Sequence, residues 1–386
     1  MVQLSEGANR IYGEAAFEVL AKAQELERQG KNILHFEIGE PDIETPKNIS
    51  QAGIKAIRDK KTHYTPSIGI LELRKAVQDE VEKTRGYRPD LEQIVITPGL
   101  KPGIFFSMLS IVNPGDEVIY QDPGYPTYGS VTSFLGAKGI MLPLLEENEF
   151  RMDPNDIKEK ITKKTKLIIV NSPQNPTGSV MTKSELEQIA ELAEKHDIFV
   201  ISDEIYSKMT YETKHYTPTA RDKAKERTVL LDGFSKYYAM TGWRLGYMVA
   251  PVKMAEKLQD FLVSAVSCTA SFTQWAGIEA LTGDQGFIPE MMARFKEKRD
   301  RIVDGLNSIP RFSCLSPKGA FYVFPNIIET GMTSQECADH LLYNAGVACL
   351  PGTAFGPYGE GYLRFSYATT LENIDTAMKR IKMSFK

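Results

Sequence analysis

Between residues 90 and 232 short apolar runs alternate with stretches of helical spacing. The runs are Ile94–Thr97, Glu117–Tyr120, Leu167–Val170, Ile198–Ile201 and Val229–Leu231, each short enough to be a strand, and Ser184–Lys195 has the spacing of a helix. This alternation predicts an α/β architecture, a mainly parallel sheet covered by helices. Ligands of such sheets bind beyond the carboxyl ends of the strands. The residues that follow the runs are Pro98-Gly-Leu-Lys101, Asp122-Pro-Gly-Tyr125, Asn171 to Gly178, Asp203-Glu-Ile-Tyr206 and Asp232-Gly-Phe-Ser-Lys236. Five strand ends are thus expected to converge on one rim.

The flanks read differently. Ile11, Ala15, Ala16, Val19, Leu20, Ala23 and Leu26 lie at helical spacing, which predicts one amphipathic helix stopped at Gly30. Ile33–Phe36 predicts a short strand that ends in the turn Gly39–Asp42, where glycine lets a ligand approach the main chain. Beyond residue 287 the order becomes a long charged helix, the run Ala320–Phe324, a helix from about Ser334 and a last strand Tyr362–Ser366. That order predicts a smaller α+β domain. A length of 386 residues suits two domains. They are expected as a large one over 45–286 and a small one made of 1–44 with 287–386.

Hydrophobic residues make up 42% and charged residues 25%, as in ordinary soluble globular chains. The net charge is −4 and the basic residues are interspersed with acids, so nucleic acid is not an expected partner. Even Arg294–Arg301, the most basic stretch, is broken by Glu297 and Asp300 and reads as a solvated helix face. Cys268, Cys314, Cys337 and Cys349 are scattered, which argues against a zinc site or a disulfide framework and fits a reducing cytoplasm. No leader and no run of about 18 apolar residues points to a membrane. No Gly-x-Gly-x-x-Gly follows a first strand, which argues against a nicotinamide enzyme.

The rim residues suggest one chemistry. A lysine such as Lys236 forms a Schiff base only as a neutral amine, a state that desolvation or a nearby cation favours, and Arg244 is close in sequence. A pyridine cofactor needs a carboxylate at its ring nitrogen, and Asp203 ends a buried run. Tyr206 follows three residues later, on the same face if a helical turn begins there. Gly99, Leu100 and Lys101 offer N–H donors at a strand-to-helix turn, with Ser235 and Arg244 as further phosphate partners. Each residue alone also reads plainly, as a solvated lysine, a helix cap, a core tyrosine or a turn.

Taken together, Phe36–Asp42, Ser172–Gly178, Ser202–Tyr206, Phe234–Lys236 and Leu363–Ser366, in this order and spacing, resemble the class I aminotransferases, a pyridoxal 5′-phosphate (PLP) family of fold type I. The resemblance spans nearly the whole chain. It implies a mainly parallel seven-stranded sheet, PLP held by Lys236 through a Schiff base, and the same lysine acting as the base. It further implies Asp203 at the pyridine nitrogen, Tyr206 and Asn175 at the phenolic oxygen, and Tyr125 stacked on the ring. Gly99, Leu100, Lys101, Ser235 and Arg244 hold the phosphate in this reading, with Tyr64 reaching the phosphate of a neighbouring subunit in a homodimer. Arg364 matches the residue that grips the substrate α-carboxylate, with Asn175 and Gly39 beside it.

An L-amino acid and a 2-oxo acid are the implied substrates. Lys101 matches a lysine that reads the distal carboxylate in a prokaryotic aspartate-aminotransferase subgroup, which makes aspartate the first expected donor. Glu14 and Phe17 depart from that subgroup, and a glutamate there repels a second carboxylate. A lyase or specialised transaminase with the same cofactor is a further reading. A non-enzymatic PLP or amino-acid sensor is another.

Overall fold

The structure is a computed structural model and describes residues 3–385; Met1, Val2 and Lys386 lie outside the described residues. After the short strand β1 (Leu34–His35) come β2 (Ile94–Thr97), β3 (Glu117–Asp122), β4 (Lys138–Pro143), β5 (Thr165–Asn171), β6 (Phe199–Asp203), β7 (Thr228–Gly233) and β8 (Gly246–Val249). These last seven form one sheet in the order β2-β8-β7-β6-β5-β3-β4. Every pairing is parallel except those of β8, which runs against both β2 and β7.

The apolar runs are continuous because helices cover both faces. In β2, Ile94 and Ile96 pack with Leu73 and Val77 of helix Leu71–Arg85. Val95 between them faces the other layer, with Ile104 of helix Lys101–Ile111 and Leu258 of helix Val252–Ala265. Two strands of this sheet went unanticipated. The edge strand β4 begins Lys138-Gly139 and is partly exposed, so it lacks a fully apolar run. The antiparallel β8 begins at Gly246, which crosses the backbone of Gly99 so closely that a Cβ would lie 3.0 Å from the Gly99 carbonyl carbon.

The expected single N-terminal helix is two, Glu6–Arg10 and Ala15–Arg28. Tyr12 breaks it: its N–H donates to Ser130 Oγ at 3.0 Å, and its carbonyl accepts from the same hydroxyl at 2.7 Å. With its backbone polar groups satisfied by a distant serine, and Gly13 next, the chain gains little by remaining helical there. The predicted stop does hold. Gly30 takes φ +85°, its N–H reaches the Glu27 carbonyl at 2.9 Å, and that of Lys31 reaches Leu26 at 3.1 Å, a glycine-terminated helix end.

Past helix Phe287–Asn307, strands β9 (Tyr322–Val323), β10 (Val347–Ala348), β11 (Leu350–Pro351) and β12 (Leu363–Ser366) follow. A three-stranded antiparallel sheet has the order β11-β12-β9, and β10 pairs in parallel with β1, so the N-terminal segment joins the C-terminal elements. A final helix, Leu371–Ser384, packs on Phe287–Asn307. The largest apolar cluster runs from Leu73 and Phe234 through Phe321 and Phe365 to Ile381.

The basic stretch Arg294–Arg301 is not simply a solvated face. Arg299 is buried, donates to both carboxylate oxygens of Glu212 at 2.6 and 2.7 Å, and lies 4.5 Å from the ring centre of Tyr211. Lys298, also buried, pairs with Asp42. These two cations tie the helix to loops around residues 42 and 212, whereas Arg294 stays exposed beside Glu290. Among the described residues no helix is long and apolar enough to cross a membrane, and the four cysteines are unpaired.

Candidate active site

The carboxyl ends of β2, β3, β5, β6 and β7 meet at a cleft of about 400 Å³. Leu100, Lys101, Tyr125, Asn175, Asp203 and Tyr206 line it from the sheet side, followed by Ser235, Lys236 and Arg244. Gly39 and Arg364 close it from the elements around β1 and β12. Residues far apart in sequence are therefore brought together. Gly99 lies just behind the lining, and Tyr64, 88% exposed, lies outside this cleft.

Lys236 follows β7 and donates from Nζ to the Gly39 carbonyl. Removal from water, then the Arg364 guanidinium, push its pKa down to about 8, with Glu40 and Glu14 opposing. The cations acting on it are thus Arg364 and, more weakly, Lys101, rather than Arg244, the neighbour that the sequence suggested. Gly39 has no side chain because Tyr322 occupies that space: a Cβ would lie 2.2 Å from the Tyr322 hydroxyl. The group approaching the main chain there is a tyrosine of the same chain.

Asp203 ends β6 and is buried; burial pushes its carboxyl up to about 6, opposed by the Tyr128 hydroxyl, which donates to Oδ2 at 2.7 Å. The Ile205 N–H also donates to Oδ1 at 3.2 Å, so Asp203 caps a local turn as well as facing the cleft. No helix starts there. Tyr206 lies in that turn, and its hydroxyl shares a 2.7 Å hydrogen bond with Tyr322.

The loop after β5 is held from within. Asn171 Oδ1 accepts from the Asn175 N–H at 2.9 Å, while Asn171 Nδ2 donates to the Asp203 carbonyl at 3.0 Å. Gln174 Nε2 donates to the Pro123 carbonyl at 2.7 Å. This leaves the Asn175 side chain free, with its buried Oδ1 unpartnered. Arg364 on β12 is likewise buried, with its guanidinium 4.7 Å from the ring centre of Tyr322 and 5.2 Å from that of Phe355. It donates to the Glu37 carbonyl, and its Nε has no partner. Asn175 Oδ1 and Arg364 Nε, buried on two residues that line one cleft, are polar groups left for a bound molecule to satisfy.

At the other end, Gly99 takes φ +82° just before helix Lys101–Ile111. A Cβ on Gly99 would lie 2.4 Å from the Arg244 guanidinium, which is itself anchored by donating to the Thr241 carbonyl at 2.8 Å. A fixed guanidinium, a helix N-terminus and the Ser235 hydroxyl form a cradle for a phosphate-sized anion. The donor set fits a phosphorylated pyridine aldehyde along its length: anion cradle, aromatic wall, ring-nitrogen carboxylate and lysine. Among the described residues no group of three or more His, Cys, Asp or Glu side chains is placed to hold a metal ion.

The family model described as "Aminotransferase class I and II" matches residues 31–381. The chain belongs to this aminotransferase family. It is 41% identical to an aspartate aminotransferase of Pyrococcus horikoshii, over 96% of this chain and 94% of the relative. It is 38% identical to an aromatic-amino-acid aminotransferase 2 of Thermococcus litoralis, over 95% of each. The solved structure of a Thermus thermophilus aspartate aminotransferase with maleate matches with a TM-score of 0.95 and 35% identity, over 100% of each chain. Fold type I, with its large mainly parallel sheet, follows.

Three residues of this aminotransferase site were not singled out from sequence. Tyr128 and Tyr322 carry no signal of their own, since nothing local marks a hydroxyl that reaches Asp203 or Tyr206. Asn171 stood in the loop that drew attention, and its position at a strand end was the available signal.

Proposed function

We propose that the chain is a PLP-dependent aminotransferase that moves the amino group of an L-α-amino acid to a 2-oxo acid in two half-reactions. The observation that carries this reading is Lys236: a lysine with a pKa of about 8, in one cleft with Asp203, Asn175 and Arg364. Bound PLP supplies an electron sink and a carbonyl that carries the amino group between the half-reactions. Lys236 would be the amine that holds the cofactor through that carbonyl and, once freed by an incoming amino acid, the base that shuttles the proton between the substrate α-carbon and the cofactor. Its depressed pKa suits both roles at neutral pH.

Asp203 keeps the pyridine nitrogen protonated, and Tyr128 orients its carboxylate. Tyr206 and Asn175 hydrogen-bond the ring oxygen, and Tyr125 forms the wall against the ring. Gly99, Leu100, Lys101, Ser235 and Arg244 hold the phosphate end through N–H groups, a hydroxyl and a guanidinium. Arg364 grips the α-carboxylate as a planar two-point donor, with Gly39 and Asn175 beside it. Tyr64 lies exposed and away from its own cleft, which supports a homodimer in which it completes the phosphate site of the second copy. Aspartate as donor is supported by the relative named for it and by the presence of Lys101. An aromatic donor is supported equally by the relative of that name.

The test is a single turnover without acceptor. Protein loaded with PLP and given an L-amino acid donor is expected to release about one equivalent of the matching 2-oxo acid per chain, identified by mass spectrometry. Ammonia or carbon dioxide as the product overturns transamination in favour of a lyase.

A further inference from the structure

The substrate side-chain end of the cleft carries an internal ion pair that decides which donors fit. Resting on the aminotransferase reading, we propose that Glu14 neutralises Lys101 and makes this subsite select large uncharged side chains over a second carboxylate.

Four cations line the cleft: Lys101, Lys236, Arg244 and Arg364. Arg364 is committed to the α-carboxylate, Lys236 to the reacting carbon, and Arg244 to the cradle beside Gly99. Lys101 is the one left for a distal carboxylate. Its Nζ is bound to Glu14 Oε1, and the same oxygen accepts the Tyr125 hydroxyl at 2.8 Å. Glu14 is therefore held from two sides, by a residue of the helix that starts at Lys101 and by the aromatic wall. Its position is set by the helix break at Tyr12, which makes Glu14 the residue just before helix Ala15–Arg28. An aspartate-like donor has to displace Glu14 or place a second carboxylate on the same ammonium; an uncharged side chain does neither.

The space beyond agrees. Glu14, Phe17 and Lys101 also line an adjoining hollow of about 600 Å³, whose other walls include Ile11, Phe105, Phe106 and Pro126. Ile11 is 47% and Phe17 62% exposed, so apolar surface is open at the mouth of the cleft. A hollow of this size and lining accepts an aromatic or long aliphatic side chain with its apolar surface removed from water.

The experiment measures the donor half-reaction of PLP-loaded protein with L-phenylalanine and with L-aspartate, following loss of the cofactor's visible absorbance. No acceptor is present, so the acceptor's own charge does not enter. Wild type is expected to favour phenylalanine over aspartate by at least about 10-fold in the second-order rate constant. Glu14→Gln is expected to move the aspartate-to-phenylalanine ratio upward by about 10- to 100-fold, and Lys101→Met to cancel that gain. Binding competition on wild type alone serves as a second readout, with 3-phenylpropanoate expected to inhibit more strongly than succinate. Preference for aspartate in wild type, or an unmoved ratio in Glu14→Gln that still binds PLP, overturns the inference while leaving the aminotransferase reading intact. PLP-loaded protein that takes an amino group from neither donor overturns both.

Discussion

Asp203 shows how the site is tuned at the level of single groups. Burial raises its carboxyl to about 6, and the Tyr128 hydroxyl holds it down from higher values. Tyr128→Phe removes that donor and adds no bulk, so the Asp203 pKa rises and the carboxylate form is lost at a higher pH. The acid limb of the pH profile for the donor half-reaction is expected to move upward, with the rate at neutral pH falling about 10-fold, the effect of one hydrogen bond to a charged group. An unmoved acid limb contradicts the role given to Tyr128. Lys236, Asp203, Asn175 and Arg364 were legible as rim residues because each sits on a short strand or within a few residues of its end, inside a recognisable string of neighbours. Tyr128 lies 75 residues from the carboxylate it orients and Tyr322 lies 116 from Tyr206, so their roles exist only in the folded chain.

Elements follow the same division. Strands β3, β5, β6 and β7 were legible because helices on both faces demand unbroken apolar runs; β4 at the edge is partly exposed, and β8, though buried between β2 and β7, opens on Gly246, a residue that argues against a strand. Helix Lys183–His196 matched its expected span within a residue at each end, because Thr182 and Glu185 form a reciprocal cap. Thr182→Ala is expected to lower unfolding stability by about 1 kcal/mol in denaturant titration and to leave the half-reaction rate unchanged, since no residue of this helix lines the cleft. A lowered rate with unchanged stability contradicts the purely structural role. The break between Glu6–Arg10 and Ala15–Arg28 was not legible, because the partner that captures Tyr12 is a serine 118 residues away.

For the whole molecule, the cleft is stabilised by the rest of the fold against a cost located at Lys236. An ordinary lysine titrates near 10.5 and this one near 8, so the charged form is disfavoured in the folded chain. The sign follows: without cofactor, stability is lowest below pH 8 and rises as the pH climbs from 8 toward 10.5, where the unfolded chain alone still binds the proton. The shift corresponds to roughly 3 kcal/mol as an upper bound. Cofactor-free Lys236→Met is therefore expected to melt higher than wild type at pH 7, with the difference shrinking above pH 8; a variant less stable than wild type at pH 7 contradicts a desolvated lysine. The overall α/β layout and the meeting of distant strand ends on one rim were legible from periodicity, because parallel strands place all their carboxyl ends on one edge. The ion pairs of Lys298 and Arg299 were not, since their partners lie in loops 256 and 87 residues away.

The central claim is that Lys236 carries PLP, and borohydride reduction followed by peptide mapping tests it most directly. Wild type incubated with PLP and reduced is expected to yield one modified peptide, with the phosphopyridoxyl mass on Lys236, and Lys236→Ala none. A modification on any other lysine, or an unmodified Lys236 in protein saturated with PLP, contradicts the account.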